Sequence, residues 1–391
     1  MTLSGMLPWA RWRIAALAGM LMLALGQPSA GGAPAALAQE GEFTFLPLPA
    51  GVADVLLSAD GRFAAVTVVT FNQERGIPER VVFVVDVKTR QLQSRIALPA
   101  VSCCEFPVFS MSRDGEVIAV GGADRVELFS RQGARLLDVP LRDPTLNTAL
   151  KVSHDGRVIV AGQSSGRITA FQRERSAPLW TVVTGRDLLD LTLSGDARTV
   201  AMVTPQAVLI LNGSDGSVLG KIPFGPSFIV AMASSGQGNR LALAWKRDAW
   251  TGNVDRRLVV GLAANGKWLW KRTLQEGAFP LVQMDALGRW VAVGDAMGMQ
   301  SALISGSGEV IWHSGTGRTA AAVSGDGRTA IAQDSRLEIR DPGGRRAIWQ
   351  ATLPGIARFM RLEGSTLAIL GSKDPQGGLP DHLWFVQVGT R

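Results

Sequence analysis

Ser112-Arg113-Asp114-Gly115-Glu116, followed by the aliphatic run 117–120, is the stretch of sequence that decides the fold. The Asp-Gly pair supplies the positive-φ residue that a tight hairpin turn requires, and the preceding Ser can hydrogen-bond the turn backbone. The β-branched and aliphatic residues after the turn are typical of a buried strand. This stretch therefore predicts a short hairpin that leads into the core.

The same turn recurs along the chain. Close copies begin at Ser58, Ser153, Ser194 and Ser324, and degenerate copies begin at Ser235, Asp285 and Leu362. Together they make eight units at intervals near 40 residues, and a second alternating strand follows each buried one. Short strands at this period are the signature of a β-propeller, in which each unit is a four-stranded blade. We predict an all-β fold, an eight-bladed β-propeller, with seven blades as the alternative.

A tryptophan follows a turn glycine in several units. The copies are 266–270, 308–312 and 344–349, and residues 178–180 are a looser copy. These segments resemble the quinoprotein-type propeller repeat, in which a tryptophan at the start of the outer strand docks between neighbouring blades. The Ser-x-Asp-Gly-Arg turns resemble those of WD40-type propellers. Both resemblances imply the fold and say little about activity.

The last unit stops one strand short, and the missing strand has a candidate at the other end of the chain. Residues 43–48 precede the first full unit and are similar to the outer strands predicted at 94–98 and 351–353. Pairing of this N-terminal strand with the last blade would close the ring and remove two sheet edges. We therefore predict closure by that pairing.

The first residues are typical of an export signal. Arg11 and Arg13 precede an apolar run over 14–25, and small residues with Ala36-Leu37-Ala38 follow it. We predict a signal peptide over 1–38, a single propeller domain over 39–391 and a periplasmic location. The apolar run is shorter than the roughly 20 residues of a membrane span. We therefore expect no transmembrane span in the mature chain, and an uncleaved anchor is the alternative.

The net charge and its distribution argue against nucleic acid as a partner. The formal charge of +7 includes Arg11 and Arg13, which leaves 7 − 2 = +5 over residues 39–391. Binding of nucleic acid requires Lys and Arg clustered on one face, so we predict no nucleic-acid partner. A small positive net charge, spread over the chain, favours association with anionic envelope surfaces, or solubility.

Cys103 and Cys104 are the only cysteines and are neighbours in sequence. In an oxidising compartment they could form a vicinal disulfide, which is strained because consecutive Cα atoms lie only about 3.8 Å apart. Strain makes a disulfide easier to reduce, so a redox role competes with a structural one. In this pair the chain resembles quinoprotein alcohol dehydrogenases, eight-bladed periplasmic enzymes whose vicinal disulfide packs on pyrroloquinoline quinone (PQQ). We predict no cofactor, with PQQ and calcium as the alternative that this resemblance implies.

Candidate metal and catalytic residues are few. His154 falls in a hairpin turn and His313 follows a docking tryptophan, so both are predicted to be surface residues, while His382 ends a long loop. The sequence contains no His-x-His, His-x-x-x-His or paired-carboxylate spacing for a metal. It also has no Gly-x-Ser-x-Gly elbow between a strand and a helix. We therefore predict neither a metal site nor a catalytic residue.

Three connections between second and third strands are predicted to be long, at 71–80, 246–257 and 372–382. Because they join equivalent strands, they should emerge on one face together with the cysteine pair, and Arg and Trp are typical interface anchors. The candidate partner-binding residues are Arg75, Arg80, Lys246, Arg247, Trp250, Arg256, Arg257 and His382. Tolerated surface insertion is the alternative explanation.

The functional hypothesis is a non-catalytic periplasmic scaffold that recognises another envelope protein or complex through this face. In size and blade count the chain is similar to the propeller subunit of the outer-membrane β-barrel assembly machine. The alternatives are a PQQ-type quinoprotein, an accessory subunit of a periplasmic dehydrogenase, and a sensor that binds a small ligand in the channel.

Overall fold

The computed structural model describes residues 38–40, 43–46, 52–72, 77–98, 108–122, 124–141, 147–185, 187–223, 227–247, 257–264, 266–276, 280–295, 301–314, 319–342, 344–372 and 382–388. Their strands form eight antiparallel sheets that succeed one another along the chain. The chain is an eight-bladed β-propeller, as the repeat predicts. No helix in the described ranges is long and apolar enough to cross a membrane.

Blades one to seven each contain four strands that are consecutive in the chain and are paired in that order. The strands are β3 (Val52–Leu57), β4 (Phe63–Asn72), β5 (Ile77–Asp86) and β6 (Gln91–Ala97) in blade one; β7 (Val108–Met111), β8 (Val117–Gly121), β9 (Arg125–Ser130) and β10 (Arg135–Pro140) in blade two; β11 (Asn147–Val152), β12 (Val158–Gln163), β13 (Arg167–Gln172) and β14 (Arg175–Val183) in blade three; β15 (Asp190–Leu193), β16 (Thr199–Val203), β17 (Ala207–Asn212) and β18 (Val218–Pro223) in blade four; β19 (Ser227–Ser234), β20 (Arg240–Arg247), β21 (Arg257–Ala264) and β22 (Lys267–Glu276) in blade five; β23 (Pro280–Met284), β24 (Trp290–Asp295), β25 (Ser301–Ser305) and β26 (Val310–His313) in blade six; and β27 (Thr319–Val323), β28 (Thr329–Gln333), β29 (Arg336–Arg340) and β30 (Ala347–Thr352) in blade seven.

Blade eight is built from both ends of the chain. Its strands β31 (Ile356–Glu363), β32 (Thr366–Ser372) and β33 (His382–Gln387) are joined at the outer edge by β2 (Phe43–Leu46) and β1 (Ala38–Glu40). Strand β2 pairs antiparallel with β33, from Phe43 opposite Val386 to Leu46 opposite Leu383. The N-terminal strand therefore lies beside the last blade. That this pairing holds the ring closed stays a prediction.

The repeated turns share one hydrogen-bond pattern. In blade one, Ser58 Oγ donates to Asp60 Oδ1 (2.6 Å) and accepts from the Phe63 N–H (2.9 Å). Asp60 also accepts from the Arg62 N–H, and Gly61 adopts a φ of 71°. The turns that begin at Ser112, Ser153 and Ser194 repeat these side-chain bonds. The Ser and Asp of the motif therefore satisfy the polar groups of their own turn, which explains their recurrence.

The core is divided among the junctions between blades. Among the described residues, eight apolar clusters each combine side chains from two neighbouring blades. Ala170 of blade three packs with Leu211 of blade four, and Phe385 of blade eight packs with Phe83 of blade one. A single blade would leave both sheet faces exposed to water, so each blade is stabilised by its neighbours.

The docking tryptophans predicted from the repeat are confirmed at two junctions. Trp180 on β14 donates its Nε1–H to the Gly213 carbonyl of blade four (2.8 Å), and Trp270 on β22 donates to the Gly306 carbonyl of blade six (3.1 Å). In each case the indole covers the turn between the third and fourth strands of the next blade. A Cβ on the positive-φ glycine of these turns, Gly216 or Gly308, would lie only 2.8 Å from the indole.

One predicted boundary is wrong. The sequence predicts an inserted loop over 71–80 in blade one, but β4 extends to Asn72 and β5 starts at Ile77. Phe71 pairs with Pro78, so the ladder continues through residues whose types are common in loops. Backbone pairing with a neighbouring strand outweighs that local preference. Residues 73–76 lie outside the described residues.

Deletion of residues 41–48 is expected to lower the melting temperature of the whole ring, because it would expose the outer edge of β33. Thermal unfolding followed by circular dichroism checks this expectation. A chain that starts at Ala38 is the control, since it keeps both N-terminal strands. Equal melting temperatures of the two chains would show that the pairing of β2 with β33 does not hold the ring closed.

Candidate functional site

The two faces of the ring differ in their connections. We call the face that carries the first-to-second and third-to-fourth strand turns the turn face, and the opposite face the loop face. On the loop face, the hairpin of blade one has strands of 10 residues, whereas the equivalent strands of blades two and three have 5 or 6. Four or five extra residues at about 3.3 Å each extend this hairpin by about 13 to 16 Å. Blade five also has a long hairpin, with strands of 8 residues.

The predicted partner-binding residues fall around these hairpins. Arg80 pairs with Val69 in the extension of blade one, and Lys246 pairs with Leu258 in blade five. Arg247 ends β20 and Arg257 begins β21, so both lie at the loop end of that hairpin. Arg75, Trp250 and Arg256 lie outside the described residues, as do Cys103 and Cys104 of the PQQ alternative.

His382 stands where the long connection of blade eight ends and β33 begins. It is the first residue of β33, pairs with Gly371 and is half-buried. Its ring stacks on the Trp384 indole, with centroids 5.5 Å apart and planes inclined by 17°. His154 and His313 are exposed, as the sequence predicts. Among the described residues no three His, Cys, Asp or Glu side chains converge as a metal site would require.

On the turn face a belt of backbone hydrogen bonds joins successive blades. The Ala59 N–H donates to the Arg113 carbonyl (2.7 Å), the Arg113 N–H to the His154 carbonyl (3.1 Å) and the His154 N–H to the Gly195 carbonyl (2.9 Å). The series continues through Gly236, Ala286 and Gly325. All of these residues lie in equivalent turns, so the belt surrounds the end of the central channel. In blade eight a side chain replaces the backbone acceptor, because Glu363 Oε2 accepts from the Gly325 N–H (3.2 Å).

The belt encloses a cavity of about 210 Å³ at the mouth of the channel. Its ionisable lining residues among those described are Arg113, His154 and Glu363. A Cβ on Gly195 would collide with the His154 ring, which lies across that turn. Arg113 of blade two reaches to 4.0 Å from the Cβ position of Gly325 in blade seven, so its side chain crosses the mouth. The mouth therefore brings together ionisable side chains from blades two, three and eight.

Glu363 is the acidic group of this cluster. Burial raises the pKa of Glu363 to about 7, while the hydrogen bond from Gly325 and the charges of Arg361 and Arg113 act in the opposite direction. The carboxyl group therefore changes its charge near neutral pH. One feature of the sequence singles out this residue, since Glu363 lies in the most degenerate copy of the turn. Its neighbours in other blades could not be read from the sequence.

Below the mouth, polar side chains line the inner strands. Burial raises the pKa of Asp54 on β3, against the lowering effect of the charges on Arg361 and Lys151. Gln283 of blade six donates to the Met360 carbonyl of blade eight (2.8 Å), past the short side chains of β27 in blade seven. The channel therefore combines opposite charges with hydrogen bonds between inner strands.

Comparison with known proteins supports the fold. No family model and no curated protein matches the chain. The C-terminal WD40 domain of Sif2 matches with 12% identity and a TM-score of 0.61, over 92% of this chain and 100% of that one. Hydrazine synthase of Kuenenia stuttgartiensis matches with 12% identity and a TM-score of 0.57, over 94% and 100%. BamB from Moraxella catarrhalis matches with 14% identity and a TM-score of 0.53, over 92% and 99%. At these identities the similarity shows the fold alone.

Glu363→Gln is expected to change the pH dependence of stability. With a folded-state pKa of about 7 against an ordinary 4.5, the native carboxyl keeps its proton where the unfolded chain has lost it. The free energy of unfolding of the wild type should therefore fall, relative to the variant, as the pH rises through this window, by at most about 1.4 kcal/mol per pH unit. The glutamine keeps an oxygen that can accept from the Gly325 N–H.

Urea unfolding of both proteins, at pH values from below 4.5 to above 7, measures this difference in the free energy of unfolding. Glu174→Gln, at an exposed turn of blade three, is the control and should follow the wild type. A constant difference between wild type and Glu363→Gln at every pH would show that Glu363 has an ordinary pKa.

Proposed function

We propose that this chain is a non-catalytic binding propeller of the periplasm that recognises another envelope protein or complex through its loop face. The observation that carries the proposal is the unequal length of the loop-face hairpins. Blades one and five have the longest paired second and third strands, and the fourth blade after blade one is blade five. In a ring of eight, the two projections stand on opposite sides of the channel axis.

This arrangement suits a partner held between the projections. Each hairpin continues a strand pair of a packed blade, so it has a rigid base, and binding segments are common on loops that a rigid scaffold positions. Blade eight, next to blade one, contributes the connection that ends at His382. A partner that contacts blades five, eight and one would span the channel opening.

The residue types at these positions favour a protein as the partner. Lys246, Arg247 and Arg257 lie at the loop end of the blade five hairpin, and the intervening segment supplies Trp250 and Arg256. Arg and Trp are enriched among the residues that dominate protein interfaces. Their positive charge also favours a partner with an acidic surface, since complementary charge accelerates association.

The periplasmic location in this proposal rests only on the signal peptide predicted over residues 1–38. Cleavage after Ala38 would leave Gln39 and Glu40 of β1 at the new N-terminus, next to β2. The mature chain would then keep the strand that pairs with β33. Edman sequencing of protein recovered from the periplasm should therefore begin at Gln39.

Affinity isolation from a periplasmic extract tests the binding role. The tagged chain is expected to retain a stoichiometric envelope protein, and the triple variant Arg247→Ala, Trp250→Ala, Arg256→Ala is expected to lose most of it, because truncating interface anchors commonly costs about 2 kcal/mol or more each. Quantitative mass spectrometry of the eluates measures the loss.

A matched variant controls for general effects of charge. Arg157→Ala, Arg198→Ala and Leu219→Ala remove two exposed arginines and one exposed apolar side chain from turns and the outer strand of other blades. This variant should retain the partner. Equal retention by both triple variants would argue against the loop face as the binding surface.

A further inference from the structure

One level of the central channel can be followed from blade to blade through the pairing of the inner strands. In blades one to six and in blade eight, one residue of the first strand stands opposite the third residue of the second strand. These residues include Leu56, Ser110, Lys151, Thr192, Gln283 and Arg361. We call this set the middle layer. It brings two cations, Lys151 of blade three and Arg361 of blade eight, to the same depth in the ring.

The side chains of the middle layer act on groups of other blades. Gln283 donates to the Met360 carbonyl of blade eight, past blade seven (2.8 Å). Burial raises the pKa of Asp54 in blade one, and the charges of Arg361 and Lys151 act against that increase. Charges from blades eight, one and three therefore interact across the inside of the ring.

The cations of this region have no acidic partner in the described part of the chain. Lys151 and Arg361, together with Arg113 at the mouth, form no ion pair with a described residue. The Arg361 Nε is also buried and has no hydrogen-bond partner among those residues. A charge that is shielded from water without such partners costs free energy. An anion bound beside these groups would supply the missing partner.

The acidic groups of the channel leave a positive excess. Burial raises the pKa of Asp54 and raises the pKa of Glu363 to about 7. Against the three cations these two groups give a net charge of 3 − 2 = +1 when both are ionised and 3 − 1 = +2 when Glu363 is protonated. Asp190 and Arg358, nearer the loop-face ends of their strands, add one charge of each sign. The inside of the ring therefore attracts anions, and a cleft concentrates such a field.

The cavity at the channel mouth lies next to the middle layer, on its turn-face side. Four apolar residues line it, and each directly follows a residue of that layer: Leu57, Met111, Leu193 and Met284. Arg113 and Glu363 line the same cavity, and Glu363 follows Arg361 by two residues, which is about 7 Å along β31. The cavity therefore combines apolar sides with an arginine at its edge and cations beneath it.

We infer that the channel mouth binds a small organic acid, as a carboxylate attached to a short apolar chain. Arg113 binds the carboxylate, since a guanidinium group fits its two oxygens, and the positive field of Arg361 and Lys151 adds to the attraction. The apolar chain packs against the four apolar residues. At about 210 Å³ the cavity is below the roughly 300–1,000 Å³ of sites for drug-sized ligands, so the chain has to be short.

Glu363 makes this binding depend on pH. Burial raises its pKa to about 7, against a backbone hydrogen bond and the charges of Arg361 and Arg113, and the charge of Asp326 adds to the increase. Below pH 7 the neutral carboxyl group tolerates a carboxylate beside it, whereas above pH 7 its charge repels one. Burial and the charge of Arg113 lower the pKa of His154 in the same cavity, so the imidazole is neutral over the upper part of this range.

This site and the loop face proposed for protein binding lie at opposite ends of the channel. The two proposals therefore rest on different residues. The ring can hold the acid while a partner protein occupies the loop face.

Saturation-transfer NMR titration of the full mature chain with pentanoate at pH 6 tests the inference. Pentanoate is expected to bind at least about tenfold more tightly than pentanamide, which has the same shape without the charge. Acetate is expected to bind about tenfold more weakly than pentanoate, because it lacks methylene groups for the apolar walls to bury. Equal binding of pentanoate and pentanamide would overturn the anion site. Tighter binding of acetyl-Ala-Leu, a peptide with a free C-terminal carboxylate, would contradict a small organic acid.

Two single variants and a control locate the site. Arg113→Gln should weaken binding of pentanoate about tenfold and reduce its salt dependence, since the exposed side chain changes while the backbone belt stays. Lys151→Met should weaken binding about threefold, because its charge acts from the layer below. Arg157→Gln, an exposed arginine of the turn that contains His154, should bind as the wild type does. Unchanged binding by Arg113→Gln would exclude the mouth, and so would an equal loss in Arg157→Gln, whether or not Lys151→Met folds.

The same titration at pH 6, 7 and 8 tests the part played by Glu363. The wild type should lose about tenfold in affinity for pentanoate from pH 6 to pH 8, whereas Glu363→Gln should lose less than about twofold. Equal, pH-independent binding by both proteins would overturn the mouth as the site. The loop-face triple variant should bind pentanoate normally, so loss of the envelope partner with retention of pentanoate separates the two proposals.

Discussion

The belt of hydrogen bonds between successive turns is the constraint on which the rest of the ring depends. Most turns present one N–H and one carbonyl at the inner edge, as His154 does between Arg113 and Gly195. Each bond contributes only about 1 kcal/mol net, but its geometry fixes the spacing of neighbouring blades. The Ser and Asp side chains, which satisfy the remaining polar groups of the turn, hold that geometry. The turn face therefore tolerates little variation in length, whereas the loop face carries connections as short as 334–335 and as long as 373–381.

The same spacing decides which side chains fit between blades. At the junction of blades three and four it leaves room for an indole above Gly216 and for the apolar residues below it. On the inner edge, the short side chains of β27 let Gln283 reach Met360 past blade seven. The distance between blades therefore limits the size of the side chains at these positions. The apolar side chains that fit there form the eight clusters between neighbouring blades.

Sequence predicts the local part of this structure well. The Ser-x-Asp-Gly turn contains its own hydrogen-bond partners within five residues, so its chemistry can be recognised without knowledge of the neighbours, and eight copies predict eight blades. The extension of the blade one hairpin was missed because Pro78 and its neighbours resemble a loop, while the ladder opposite Phe71 depends on pairing. The cluster of Arg113 with Glu363 could not be predicted, since only the curvature of the ring brings blades two and eight together.

The junction between blades eight and one differs from the others for a reason that lies in the chain path. In blades three and five, the bulge and its tryptophan follow directly after the turn that joins the third strand to the fourth. Blade eight takes its outer strand from the start of the chain, so β33 and β2 are not joined by such a turn. Without the turn there is no local device to make the bulge, and the register of β2 with β33 is regular. The regular pairing of Thr44 opposite Phe385 therefore follows from the path of the chain, and a cavity lined by Lys88 and Arg90 lies at this junction.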